Sequence, residues 1–146
     1  MSWKLLGRFF VVLICLLGGI SKFAETRHSE KLLIESYSKT FAKSKEFGFP
    51  IPIAPVLIAS YSQELIYFTG FLLLLGSLLV IANVKLGSWI ITLMFLSFNV
   101  VVHNPLIHTK FEDKVNNTQA FLLNLVIVAG CLLTCQNLED KKKKTE

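Results

Sequence analysis

Charge is scarce in this sequence. Asp, Glu, Lys and Arg make up 17% of its 146 residues, against about 25% in an ordinary soluble domain. The deficit falls in blocks, as it does in stretches that lie in lipid. Cysteine is scarce too. Cys15, Cys131 and Cys135 are odd in number and sit inside apolar runs, which excludes a disulfide scaffold. Cys131 and Cys135 are four apart, on one helix face, and read as small polarizable packing residues. A metal or redox role needs thiols on a neighbouring helix, and the sequence offers no evident partner. There is no glycine-rich phosphate loop, no zinc-ligand spacing and no Ser/His/Asp constellation. His28, His103 and His108 lie at or outside the ends of apolar runs, so a haem held mid-membrane lacks ligands. Repeats of the transporter type are also missing.

What is present is apolar. Hydrophobic residues make up 53% of the chain and mean hydropathy is +0.57, more apolar surface than a domain of this size can hide from water. A transmembrane helix needs about 20 mostly apolar residues, and four stretches qualify. They are residues 5–24, 56–83, 86–102 and 118–136. The expected fold is all-α, an integral membrane four-helix bundle within residues 1–138, followed by a charged tail at 139–146. The first stretch resembles a signal peptide, but no small-residue cleavage site follows it, so it is expected to be retained as a span.

Between the first two spans lies a polar segment, Glu25 to Glu46. Leu32, Leu33, Tyr37 and Phe41 recur there at helical spacing. This predicts an amphipathic helix on the membrane surface, apolar side down. Pro50, Pro52 and Pro55 then force extended backbone through a hydrophobic loop, and Pro55 suits the first turn of the second span. Asn83-Val84-Lys85 predicts a tight turn, and His103-Asn104-Pro105 ends the third span. A polar loop is expected over Lys110 to Asn117. Asn116-Asn117-Thr118 is formally a glycosylation acceptor, read as chance because it abuts a span. Four spans place both termini on one side. The basic residues divide almost evenly between the two sides, with a lean toward termini on the cytoplasmic or matrix-like side.

Polar groups within spans are costly and usually face the bundle interior. The candidates are Lys22, Gln63, Glu64, Asn99, His103 and Asn124, with Asn83 and Asn104 at span ends. Glu64 stands out, with Gln63 beside it and Tyr61 and Tyr67 one turn away. It reads either as a carboxylate that takes up a proton or contacts a cationic or quinol-like ligand, or as an acid that is paired with Lys22 or His103 or still lies at the headgroup level. His103 reads as a helix-end cap or as a ligand-binding group. Asn99 and Asn124 fit interhelical hydrogen bonding, and Gly18, Gly19, Gly70, Gly76, Ser77, Gly87 and Gly130 fit close helix approach. Basic residues exceed acidic ones by five. They gather at span ends and in the run Lys141, Lys142, Lys143, Lys144, which reads as a lipid-binding element or a dilysine retrieval signal. No basic face on a soluble domain exists to bind nucleic acid.

Gly7-Arg8 opens the first span and Gly19-Ile20-Ser21-Lys22-Phe23 closes it. The fourth carries Asn124-Leu125 and then Gly130-Cys131-Leu132-Leu133, and His103 and Pro105 end the third. With these motifs the chain resembles the DoxX-like superfamily, in its branch of HR-like lesion-inducing membrane proteins. The resemblance implies a four-helix membrane bundle and no single activity. Some relatives of that superfamily look like quinone-linked subunits, and a distant branch resembles endoplasmic-reticulum cargo receptors. Three functions are therefore expected as alternatives. One is a non-catalytic accessory subunit of a larger membrane complex, placed in the mitochondrial respiratory chain. Another is an endoplasmic-reticulum trafficking protein using the dilysine tail. The third is a quinone-linked oxidoreductase subunit using Glu64 and His103. No cofactor is expected apart from bound lipid, and the expected partners are membrane lipids and other subunits.

Overall fold

A computed structural model describes residues 3–143, with side chains from 6 to 134. Every regular element among them is helical: α1 (Trp3–Ala24), α2 (Thr26–Glu46), α3 (Pro55–Ser60), α4 (Ser62–Ile81), α5 (Lys85–Val101) and α6 (Phe111–Lys143), with a 3-10 turn at Pro105–Ile107. Four segments are long and apolar enough to cross a membrane: Leu6–Ala24, Ser62–Ile81, Lys85–Ile107 and Phe111–Thr134. The protein is an all-α four-helix membrane bundle. In lipid a backbone must satisfy its own polar groups, and a helix does so within one segment.

α4 packs along both α1 and α5, α6 packs along α5, and α6 closes the ring against α1 with a lighter contact. Lipid tails are as apolar as leucine, so close packing rather than water exclusion must hold these helices together. Glycine provides it at two crossings. A Cβ on Gly87 would stand 2.5 Å from the Gly76 carbonyl oxygen and 2.7 Å from the Val80 nitrogen. A Cβ on Gly70 would meet Phe23 at 2.8 Å and the Lys22 Cβ at 3.0 Å. The core between the helices contains Val12, Cys15, Leu73, Val80, Ile91, Phe95, Val128 and Cys131. Cys15 and Cys131 come together there on α1 and α6, close enough to interact electrostatically. This corrects the expectation that no thiol on a neighbouring helix would face Cys131. Chain order separates the two by more than a hundred positions, and only the antiparallel return of α6 along α1 joins them. Cys135 lies beyond the described side chains.

At the end of the bundle carrying the termini, the α4–α5 turn is tight, as expected. Asn83 takes a left-handed φ of 63°, Val84 N–H donates to the Leu79 carbonyl and Asn83 N–H to that of Val80. This is the Schellman pattern, with asparagine in the left-handed position. Arg8 reaches across from α1 and donates to Asn83 Oδ1 at 2.6 Å and to the Ile81 carbonyl at 3.2 Å. The guanidinium therefore satisfies an end of α4 that helix geometry leaves open.

The opposite end is covered by α2 and departs from expectation in two places. α2 turns part of its Leu32–Leu33–Tyr37–Phe41 stripe toward the bundle, with Tyr37 buried and Leu33 and Phe41 partly so. It buries Ser36, Tyr37 and Thr40 against α4, α5 and the 3-10 turn, and Leu32 is exposed. Small residues at Ser36 and Thr40 allow that approach, and Thr40 Oγ1 bonds the Val101 carbonyl at the end of α5 at 3.2 Å. The proline segment is tied to the same helix: Tyr37 donates to the Ile53 carbonyl at 2.9 Å and Ile51 N–H to Ser44 Oγ. Pro55 opens α3 as expected, but the span predicted over 56–83 bends at Tyr61. Ser60 donates to the Val56 carbonyl and Ser62 to that of Ala59, and such back-bonding bends helices. Lastly, residues 111–117 are helical rather than looped. Glu112 and Asp113 sit in the first turn of α6, where the macrodipole favours acids. Asn117 and Thr118 turn inward on their own helix, donating to the carbonyls of Asp113 and Lys114. The charged tail expected from residue 139 continues α6 to Lys143. The side chains of Lys141, Lys142 and Lys143, and all of Lys144, lie outside the described residues.

Candidate functional site

Toward the end roofed by α2 the bundle pairs two buried asparagines. Asn124 of α6 donates through Nδ2 to Asn99 Oδ1 on α5, at 2.8 Å. Asn99 in turn donates through Nδ2 to the Phe121 carbonyl, at 3.2 Å. Both asparagines are buried, and each amide is oriented by the other. In lipid, bonds of this kind hold two helices in register.

Lys22 lies near the end of α1, half-buried, and its Nζ stands 5.6 Å from the centroid of the Phe98 ring on α5. A cation over a ring face gains electrostatic attraction. Gly70 makes the reach possible, because its missing side chain leaves room for the base of Lys22. Among the described residues no carboxylate lies within ion-pair distance of that ammonium. One turn beyond Asn99, His103 is half-buried, near enough to Lys22 to feel its charge, with the Asn117 amide within hydrogen-bonding reach of its ring. Four of the six sequence candidates, Lys22, Asn99, His103 and Asn124, thus share one end of the interior.

The other two do not join them. Glu64 is exposed in the first turn of α4. The buried face of α4 runs through Ser62, Ile66, Gly70, Leu73, Ser77 and Val80, and helical geometry points residue 64 away from it. The expectation of an acid paired with Lys22 or His103 is corrected: no such pair forms. The acid that does meet the bundle is Glu30 of α2, which accepts from Ser62 Oγ at 3.2 Å. Gln63 is also exposed and donates to Tyr67 Oη at 3.1 Å, while Tyr67 stacks on Phe23 of α1 with 5.6 Å between ring centroids.

Asn117 and Phe98 escaped sequence reasoning. The polar pattern predicts a loop at the first, and the second is one apolar residue among many in a span. Asn104 caps the start of the 3-10 turn, accepting from Leu106 N–H at 3.0 Å. His108 follows that turn. Both its ring nitrogens are buried and without a partner. Burial holds its pKa below the ordinary imidazole value, Lys39 pushes in the same direction and Asp113 opposes it. Among the described residues no three His, Cys, Asp or Glu side chains converge to hold a metal ion. Comparison with protein-family models, curated proteins and solved structures returns no match, so the DoxX-like resemblance rests on its short motifs.

Proposed function

We propose that this chain is a non-catalytic accessory subunit of a larger membrane complex, with the respiratory chain of the mitochondrial inner membrane as its setting. The observation that carries the reading is the partition of its side chains. The centre is closed: Cys15, Leu73, Val80, Ser77, Ser88, Ile91 and Cys131 are all almost fully buried. Large apolar side chains point outward from every span, with Phe9, Phe10, Phe68, Phe71, Leu93 and Val126 each more than half exposed. A closed centre with an oily exterior suits a scaffold that other helices pack against. The roof of α2 and the proline segment, tied down through Tyr37, Thr40 and Ser44, gives that scaffold a fixed cap at one end.

The test is purification of the tagged, full-length protein in mild detergent, followed by native electrophoresis and identification of what migrates with it. A stoichiometric assembly of membrane subunits is the expected result. A homogeneous free monomer, or migration with vesicle-trafficking components, would reject the reading.

A further inference from the structure

We propose that Lys22 forms the cationic centre of a binding site for a phosphate-type oxyanion, presented by the headgroup of an anionic lipid. The side chain emerges two residues before the end of the first span, Leu6–Ala24, at the depth where headgroups begin. A lysine there ordinarily extends outward into the interface. This one turns inward, past Gly70, to the Phe98 ring. It is half-buried, and among the described residues it has no acid to neutralise it. An uncompensated ammonium within a span is costly, and a charge kept there normally has a partner.

Its neighbours supply what an oxyanion needs. The ring of His103, near enough to Lys22 to feel its charge and partly exposed, can donate an N–H to a phosphate oxygen. The Asn99–Asn124 pair holds α5 and α6 together just below. Lys22 and His103 are each partly exposed, so the site opens outward. The close approach of α1 and α6 at Val11 and Gly130 lies about three helical turns from Lys22. The inference stands independently of any assignment to a complex, because it concerns one cation and its surroundings.

The experiment uses the full-length protein in detergent, with native mass spectrometry and thermal unfolding read in parallel. The probes are dioleoylphosphatidylglycerol, dioleoylphosphatidylcholine and inorganic phosphate. One basic group near anionic lipid accounts for about fivefold in affinity. The wild type should therefore retain the anionic lipid about fivefold over the zwitterionic one. Lys22→Met should abolish the preference, and Lys22→Arg should keep it. If inorganic phosphate competes for the site in a Lys22-dependent way, the oxyanion chemistry stands and a soluble source is identified. Equal retention of the two lipids by the wild type overturns the proposal without recourse to any variant. So does an undiminished preference in a folded Lys22→Met protein.

Discussion

Asn124 donates a 2.8 Å hydrogen bond to Asn99 across the α5–α6 interface, and Asn99 passes its own amide proton on to the Phe121 carbonyl. The two residues are not equivalent. Asn99 both accepts and donates between helices, whereas Asn124 is seen only to donate. Replacing Asn124 with leucine strands one acceptor, while replacing Asn99 strands a donor amide and frees a backbone carbonyl. Asn99→Leu should therefore destabilise the bundle more than Asn124→Leu, within the roughly 1–3 kcal/mol of a buried unsatisfied polar group. A double-mutant cycle read by unfolding in detergent should give a coupling of about 0.6–1.7 kcal/mol, the range for interhelical pairs in membranes. A coupling of zero would mean the amides do not meet.

The sequence carries the existence of the four spans because hydropathy and length state it directly. It does not carry the direction in which each span faces. α4 is apolar on all sides, so no amphipathic pattern points inward, and lipid and protein interior are alike to a leucine. Glu64 illustrates the result. Its residue type and position in a span suggested an inward acid, but the inward face of α4 was set by Gly70, Gly76 and Ser77, where helices can approach. Asn99 and Asn124 were legible because buried amides in lipid require partners. Their pairing needed the antiparallel register of α5 and α6. The bend at Tyr61 and the helical start of α6 depend on hydroxyl and amide side chains bonding their own helix, an outcome local composition leaves open.

Arg8 and Asn83 offer a second test, at the opposite end. Asn83 has two separable roles, the left-handed backbone and the Oδ1 that receives Arg8. Asn83→Ala loses both and should cost about 1–2 kcal/mol, since a Cβ without a polar side chain is penalised in that conformation. Asn83→Gly loses only the side-chain bond and should cost less. After Asn83→Gly, Arg8→Ala should cost less than it does in the wild type, though not nothing, because the bond to the Ile81 carbonyl remains. Thermal unfolding of the wild type and the four variants settles the order.

His108 predicts a pH dependence. Its folded-state pKa is held below the unfolded one by burial, with Lys39 adding to the effect and Asp113 opposing it. The unfolded chain therefore binds a proton more readily once pH falls below the ordinary imidazole value of about 6.5. Stability from this group is complete above that value and is lost progressively as pH falls toward the lower folded-state pKa. In detergent, the melting temperature of the wild type should drop between neutral and mildly acidic pH. His108→Gln should flatten that slope, and an unchanged slope would assign the effect to other groups.

The glycine crossings separate packing from backbone freedom. Gly87 and Gly7 are both helical, but a Cβ on Gly87 collides with the Gly76 carbonyl and the Val80 nitrogen, while a Cβ on Gly7 meets nothing within 4 Å. Backbone atoms on a neighbouring helix cannot rotate aside as a leucine tip can, so Gly87→Ala must push α4 and α5 apart. Overpacking of this kind costs about 1–3 kcal/mol, and separation of the two helices should also loosen Ile91, which is fully buried beside Gly76. Gly7→Ala faces no such contact. Alanine exceeds glycine in helix propensity by up to about 1 kcal/mol, so that variant should be neutral or slightly more stable. Unfolding in detergent, read beside hydrogen exchange of the α4 and α5 amides, distinguishes the two. If Gly87→Ala were as stable as Gly7→Ala, the α4–α5 crossing would have to lie further apart than the structure places it.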